Sequence, residues 1–117
     1  MNLPLKLIRE RILPVIFKYV SRGECAVFLF GSFAQNQNAK SSDIDIGIIG
    51  AKPLSNSTLL KIKEELEDKT LQGIDLTDFA ATGDKEFLKL ALRRIKLWHQ
   101  TPKSKVYLAN LYRRAKG

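Results

Sequence analysis

Gly31-Ser32-Phe33-Ala34-Gln35-Asn36-Gln37-Asn38-Ala39-Lys40-Ser41-Ser42-Asp43-Ile44-Asp45 lies between two apolar runs, and its reading decides the fold. Before it, Cys25-Ala26-Val27-Phe28-Leu29-Phe30 is apolar at every position, which predicts a central strand buried on both faces. After it, Ile44 to Ile49 begins by alternating. Successive side chains of a strand point to opposite faces, so Asp43, Asp45 and Gly47 share one face and Ile44, Ile46 and Ile48 the other. Two residues of rise put the carboxylates roughly 6 to 7 Å apart along the strand, near enough to converge on one ion or ion pair. Gly47, lacking a side chain, predicts open room beyond them.

These residue types together point to a nucleotide-phosphate and metal site. Mg²⁺ is a hard cation that takes one or two carboxylates and fills its other positions with phosphate oxygens and water. Gly31 and Ser32, at the end of the preceding strand, would let backbone N–H groups approach phosphates without a Cβ in the way, the hydroxyl adding a donor. A lone Asp-x-Asp is usually a solvated strand end, and a lone Gly-Ser usually a turn. The combination is more specific, because two acids opposite a face of isoleucines repel each other unless a cation sits between them.

Gly31-Ser32, ten intervening residues and Asp43-Ile44-Asp45 resemble the Gly-Ser-x10-Asp-x-Asp signature of the nucleotidyltransferase superfamily built on the DNA polymerase β palm. The small size of the chain resembles the minimal nucleotidyltransferase (MNT) members. The resemblance spans about residues 25–99 and implies an α/β (α+β) fold, a small mixed β-sheet of the palm type flanked by helices. It implies a third acid from a later strand, for which Gly73-Ile74-Asp75-Leu76-Thr77-Asp78-Phe79 matches, with Asp75 at the acid position. Parity gives the same residue independently, since Ile74 and Leu76 share a face with Asp78 and leave Asp75 with Thr77 and Phe79. The resemblance further implies that Asp43, Asp45 and Asp75 are catalytic and hold Mg²⁺, and that Gly31 and Ser32 bind ATP or another NTP. Similar proteins are antitoxins of HEPN/MNT pairs, which implies AMP transfer from ATP to a tyrosine of a HEPN-domain toxin. This chain departs from the Gly-Ser-Arg-Ala-Arg-Gly of many members, reading Gly31-Ser32-Phe33-Ala34-Gln35-Asn36 and so losing two guanidinium groups and a glycine.

With 117 residues, 44% hydrophobic and 27% charged, the chain is expected to form one domain over residues 1–117. Lys6, Arg9, Glu10 and Arg11 interrupt the apolar residues near the N-terminus, so no signal peptide is expected, and no run reaches membrane-spanning length. The single cysteine, Cys25, falls in the apolar strand, which predicts a buried structural thiol and a reducing cytoplasm.

Leu5, Ile8, Ile12, Val15, Ile16 and Tyr19 recur at helical spacing over Leu3 to Val20, with Pro14 predicting a kink or a break into two short helices. Phe33 to Ser42 is polar and predicts a short helix or loop over the site. Ser57 is the expected N-cap of a helix bearing Leu59, Ile62 and Leu66, whose Glu64, Glu65, Glu67 and Asp68 read as a solvated face paired with Lys61, Lys63 and Lys69. Gly83-Asp84 opens an expected helix from Phe87 to Trp98 with Leu90, Ala91 and Ile95 inward, and His99 reads as a surface residue at its end.

Charge is divided unequally. Lys85 to Gly117 holds ten basic residues and one acid, net +9, whereas Met1 to Asp84 holds ten basic and eleven acidic, net −1. Within residues 101–117, Tyr107, Leu108, Leu111 and Tyr112 predict a basic amphipathic segment, either docked on its own domain or free to hold a partner. Two other functions compete with the enzyme: a non-catalytic subunit that binds nucleotide or neutralises a HEPN partner by contact, and a nucleic-acid-binding module using the basic C-terminal end.

Overall fold

A computed structural model of the chain describes residues 4–31 and 43–117. In chain order these form α1 (Leu5–Tyr19), a 3-10 turn (Arg22–Glu24), β1 (Ala26–Phe30), β2 (Ile44–Ile49), α2 (Asn56–Thr70), β3 (Ile74–Asp78), α3 (Lys85–Ala91), β4 (Lys96–His99) and α4 (Pro102–Lys116). The strands make one mixed sheet in the order β3-β2-β1-β4. β1 runs antiparallel to both β2 and β4, while β2 and β3, joined through α2, are parallel. Residues 32–42, including Ser32 and the expected helix or loop over the site, lie outside the described residues.

Two cores follow from the parity of the strands. Val27, Leu29, Ile44, Ile46, Ile48 and Ile74 pack one face against Ile8, Ile12 and Ile16 of α1 and Ile62 and Leu66 of α2. Ala26, Phe28, Phe30, Ile49 and Phe79 pack the other against α3 and α4. Every residue of β1 is buried, because helices cover both of its faces. Cys25 belongs to the first core, and its burial pushes the thiol up to about 11, so it stays neutral and unreactive.

α1 does not break at Pro14 but runs through it. Pro14 and Glu10 are both exposed, so the carbonyl that the proline leaves without an intrahelical partner can be hydrated. Ile12, Val15 and Ile16 meanwhile hold both halves on one core. The N-cap of α2 is Ser55, whose hydroxyl accepts from Thr58 N–H at 3.2 Å, rather than Ser57. The acids of α2 are also more than a solvated face. Glu65 meets Lys18 and accepts from Tyr19 Oη at 2.9 Å, tying α2 to α1, and Glu67 accepts from Ile74 N–H at 2.9 Å, tying α2 to β3.

The expected helix from Phe87 to Trp98 ends at Ala91. Residues 96–99 instead form β4 against the second edge of β1, with Val27 opposite His99 and Leu29 opposite Lys96. An apolar central strand leaves its backbone groups unsatisfied unless both edges are paired, and that demand outweighs the helical spacing. Trp98 thereby enters the α1 side core, Leu88 rather than Leu90 faces inward from α3, and Leu90 is 67% exposed. His99 lies in this strand with its ring edge-on to Phe17.

The C-terminal segment is docked on its own domain. Thr101 caps α4 in a reciprocal capping box with Ser104, Pro102 occupies the first turn, and Leu108, Leu111 and Ala115 are buried in the second core.

Candidate active site

Asp45 and Asp75 are brought together by the parallel pairing of β2 and β3, in which they are direct partners. On the other side of β2, Asp45 faces Phe30 at the end of β1. There Gly31 turns the chain with φ +73°, and a Cβ on it would lie 2.1 Å from Asp45 Oδ2. Gly31 is therefore required twice, for its backbone conformation and for the carboxylate lying against its bare Cα. Asp43, immediately before β2, rests its carboxylate on Gly73, where a Cβ would come within 2.2 Å of Oδ1. Ile44 N–H donates to Gly73 C=O at 2.9 Å, so the entrances of β2 and β3 are stitched together at the site.

The room expected beyond the carboxylates at Gly47 is filled. A Cβ there would lie 2.4 Å from the Phe28 ring and 2.7 Å from that of Phe79. Phe79 stands 5.0 Å from Phe28, 5.4 Å from Phe30 and 5.9 Å from Phe87, ring centre to ring centre. This aromatic floor continues the carboxylate face of the sheet and desolvates its inner end.

Asp45 is half-buried, while Asp43 and Asp75 are exposed. Burial, followed by the charge of Asp75, a hydrogen bond to the Asp75 carboxyl and the charge of Asp43, raises the Asp45 carboxyl to about 6. Two acids so placed repel each other, and a proton on Asp45 relieves that repulsion as pH falls through about 6. Asp78 is on the opposite face, buried, with its carboxylate accepting from Leu54 N–H at 2.7 Å and Ala80 N–H at 3.0 Å. Its place is structural. His99 is occupied elsewhere, its Nε2 lying 2.7 Å from the Arg22 carbonyl.

Gly73 and Glu67 had no sequence signal of their own. Gly73 reads as the turn before a strand, and its contact with Asp43 exists only because β2 and β3 are adjacent and parallel. Glu67 reads as one surface acid among four, yet the amide it accepts from opens the strand that carries Asp75.

Asp45 and Asp75 thus lie level on parallel strands beside a positive-φ glycine, and the chain matches the family described as "Polymerase beta, Nucleotidyltransferase" over residues 22–103. The chain belongs to this nucleotidyltransferase family. Among its relatives, MJ0435 of Methanocaldococcus jannaschii, provisionally named a protein adenylyltransferase, is 31% identical over 72 residues, 62% of this chain and 74% of that protein. The protein adenylyltransferase MntA of Shewanella oneidensis is 26% identical over 62% of this chain, and the match spans about half, 52%, of MntA. The nucleotidyltransferase fold is shared with a crystal structure of a toxin-antitoxin with AMP-PNP, at TM-score 0.78 and 18% identity, covering 92% of this chain and 86% of that one. It is also shared with a structure of the tri-AMPylated Shewanella oneidensis HEPN toxin in complex with MNT antitoxin, at TM-score 0.68 and 18% identity over 97% of this chain and 92% of that one.

Nucleotidyltransferases of this family usually use a divalent metal. The donors here suit one: Asp45 and Asp75 are direct partners on parallel strands, and carboxylate oxygens are the ligands a hard divalent cation takes. Among the described residues no group of three ligating side chains is already assembled, and Asp43 stands at the rim on Gly73. Among these residues, also, no helix is long and apolar enough to cross a membrane.

Proposed function

We propose that this chain transfers AMP from ATP to a tyrosine hydroxyl of a HEPN-domain partner protein and acts as the antitoxin of that pair. The observation that carries this reading is the Asp45 and Asp75 pair, level on parallel strands with the bare Cα of Gly31 against Asp45. Asp43, Asp45 and Asp75 would hold Mg²⁺. Bound there, the ion would offset the charge of the phosphates and draw electron density from the phosphorus under attack. Gly31 presents backbone without a Cβ to the phosphates, and the Ser32 hydroxyl adds a donor. Asp75, the more exposed of the paired acids, takes the acceptor proton as the tyrosine oxygen attacks the α-phosphorus. A new O–P bond forms, the bond between the α-phosphorus and the bridging oxygen breaks, and pyrophosphate leaves with that electron pair. An ATP-dependent reaction in a chain with one buried thiol suits the cytoplasm.

A second reading, neutralisation of the partner by contact alone, draws support from Phe33 and Gln35, which stand where many members carry arginine. The two part on chemistry. Incubated with α-labelled ATP, Mg²⁺ and a purified HEPN partner, the chain should label a partner tyrosine and release pyrophosphate, and replacing that tyrosine by phenylalanine should remove the label. A partner neutralised with neither label nor pyrophosphate would overturn the transfer reading in favour of the second.

A further inference from the structure

The unequal charge of the chain has a place in the fold away from the carboxylates. Where α3 and the turn after it meet α4, an open groove encloses a cavity of about 200 Å³. Leu92, Tyr112 and Ala115 line it with apolar surface, and Lys89, Arg93 and Lys116 complete its wall. The Tyr112 hydroxyl donates to the Leu92 carbonyl at 3.4 Å, which turns the polar end of that side chain inward and leaves the ring at the groove.

Among the described residues none of these three cations is in an ion pair. The pairs there are Lys18 with Glu65, Lys63 with Glu67 and Lys103 with Glu24, none of them at this groove. Glu86 is the one acid from Lys85 to the end of the chain. Cationic side chains around an apolar groove complement an anion carrying an apolar group.

We propose that this groove docks an acidic segment of a partner protein, one apolar side chain filling the cavity over Leu92 and Tyr112 while flanking carboxylates meet Lys89, Arg93 and Lys116. The cavity is smaller than the roughly 300 to 1,000 Å³ of small-molecule sites and suits a single side-chain anchor. A nucleic-acid strand is the poorer fit, since it calls for a charged track with several stacking platforms, and this groove offers one aromatic ring beside a leucine and an alanine. The surface lies on the rigid domain and not on a detachable tail, because α4 is held by Leu108, Leu111 and Ala115. Docking here is separate from transfer chemistry and is read without ATP.

The test uses the full chain and a panel of fluorescein-labelled acidic peptides bearing a central Leu, Phe or Trp, with anisotropy measured at low and ordinary ionic strength. At least one peptide should bind, with amide shifts centred on Leu92 and Tyr112. Replacing its anchor by Ser should weaken binding about tenfold, the worth of one buried anchor. The exposed double substitution Lys89→Glu with Arg93→Glu should weaken it at least as much at low salt, with an unchanged thermal melt showing the fold intact. Failure of every peptide to bind overturns the proposal, as do indifference to the anchor or shifts elsewhere on the surface. A single-stranded oligonucleotide that bound more tightly than any peptide, and lost affinity with the same double substitution, would replace it with a nucleic-acid site.

Discussion

Asp45 and Asp75 face each other across parallel strands, and among the described residues no lysine or arginine pairs with either. The fold builds a repulsive pair at the sheet's edge and leaves its relief to a proton or a bound cation.

Asp45→Asn should therefore remove activity and help the metal-free fold. The Asp45 carboxyl, ordinarily near 3.8, is raised to about 6 in the folded protein, so folding favours its neutral form. Its contribution is fully present below about 4 and is lost as pH rises through about 6. At pH 7 the asparagine variant should melt above wild type without metal, the gap closing as pH falls from 6 to 4. Mg²⁺ affinity of wild type, followed by calorimetry, should fall over the same interval as protons compete for the site. Transfer of label from ATP should drop by at least about 100-fold. A gap in melting temperature that does not change with pH would show that Asp45 is not the group that titrates.

Asp75 and Asp78, three residues apart in the same strand, should fail differently. Asp75→Asn should lower turnover by about 10²- to 10⁴-fold with little change in stability. Asp78→Ala strips two backbone amides of their acceptor and should cost about 1 to 3 kcal/mol of stability while sparing turnover in the folded fraction. Denaturant melts beside initial rates separate the two, and equal kinetic damage from both would contradict the assignment.

Gly73→Ala tests the seat of Asp43. The added methyl group would meet Oδ1 at 2.2 Å, so the carboxylate must swing away. The backbone there needs no positive φ, so the fold should lose little. Mg²⁺ should bind more weakly and transfer should slow, with partial recovery at high Mg²⁺ concentration. Unchanged metal dependence would show that Asp43 does not act from this position.

Leu111→Ala should cost about 2 to 5 kcal/mol, because the side chain is 1% exposed in the second core. Deleting residues 103–117 removes Leu108 and Ala115 as well and should lower the melting temperature sharply, so truncation is a poor probe of partner binding. A truncated chain that melted like wild type would show that α4 is an accessory, contrary to its burial.

The amino-acid order by itself determined three strands and the faces of two acids. Periods of two are local, so the runs Ala26 to Phe30, Ile44 to Ile49 and Ile74 to Asp78 were legible, as was the separation of Asp75 from Asp78. The Gly-Ser and Asp-x-Asp spacing carried the resemblance, although residues 32–42 between its halves lie outside the described structure. Tertiary structure alone decided what depends on partners far apart in sequence. Lys96 to His99 became a strand because the free edge of β1 needed backbone partners, overriding a helical pattern that was real but local. The basic C-terminal segment became core because Leu108, Leu111 and Ala115 cover the aromatic face of the sheet. Glu67 gained a role only when α2 came to lie beside the start of β3. Asp45 and Asp75, thirty positions apart, became one site through the parallel register, which neither segment encodes alone.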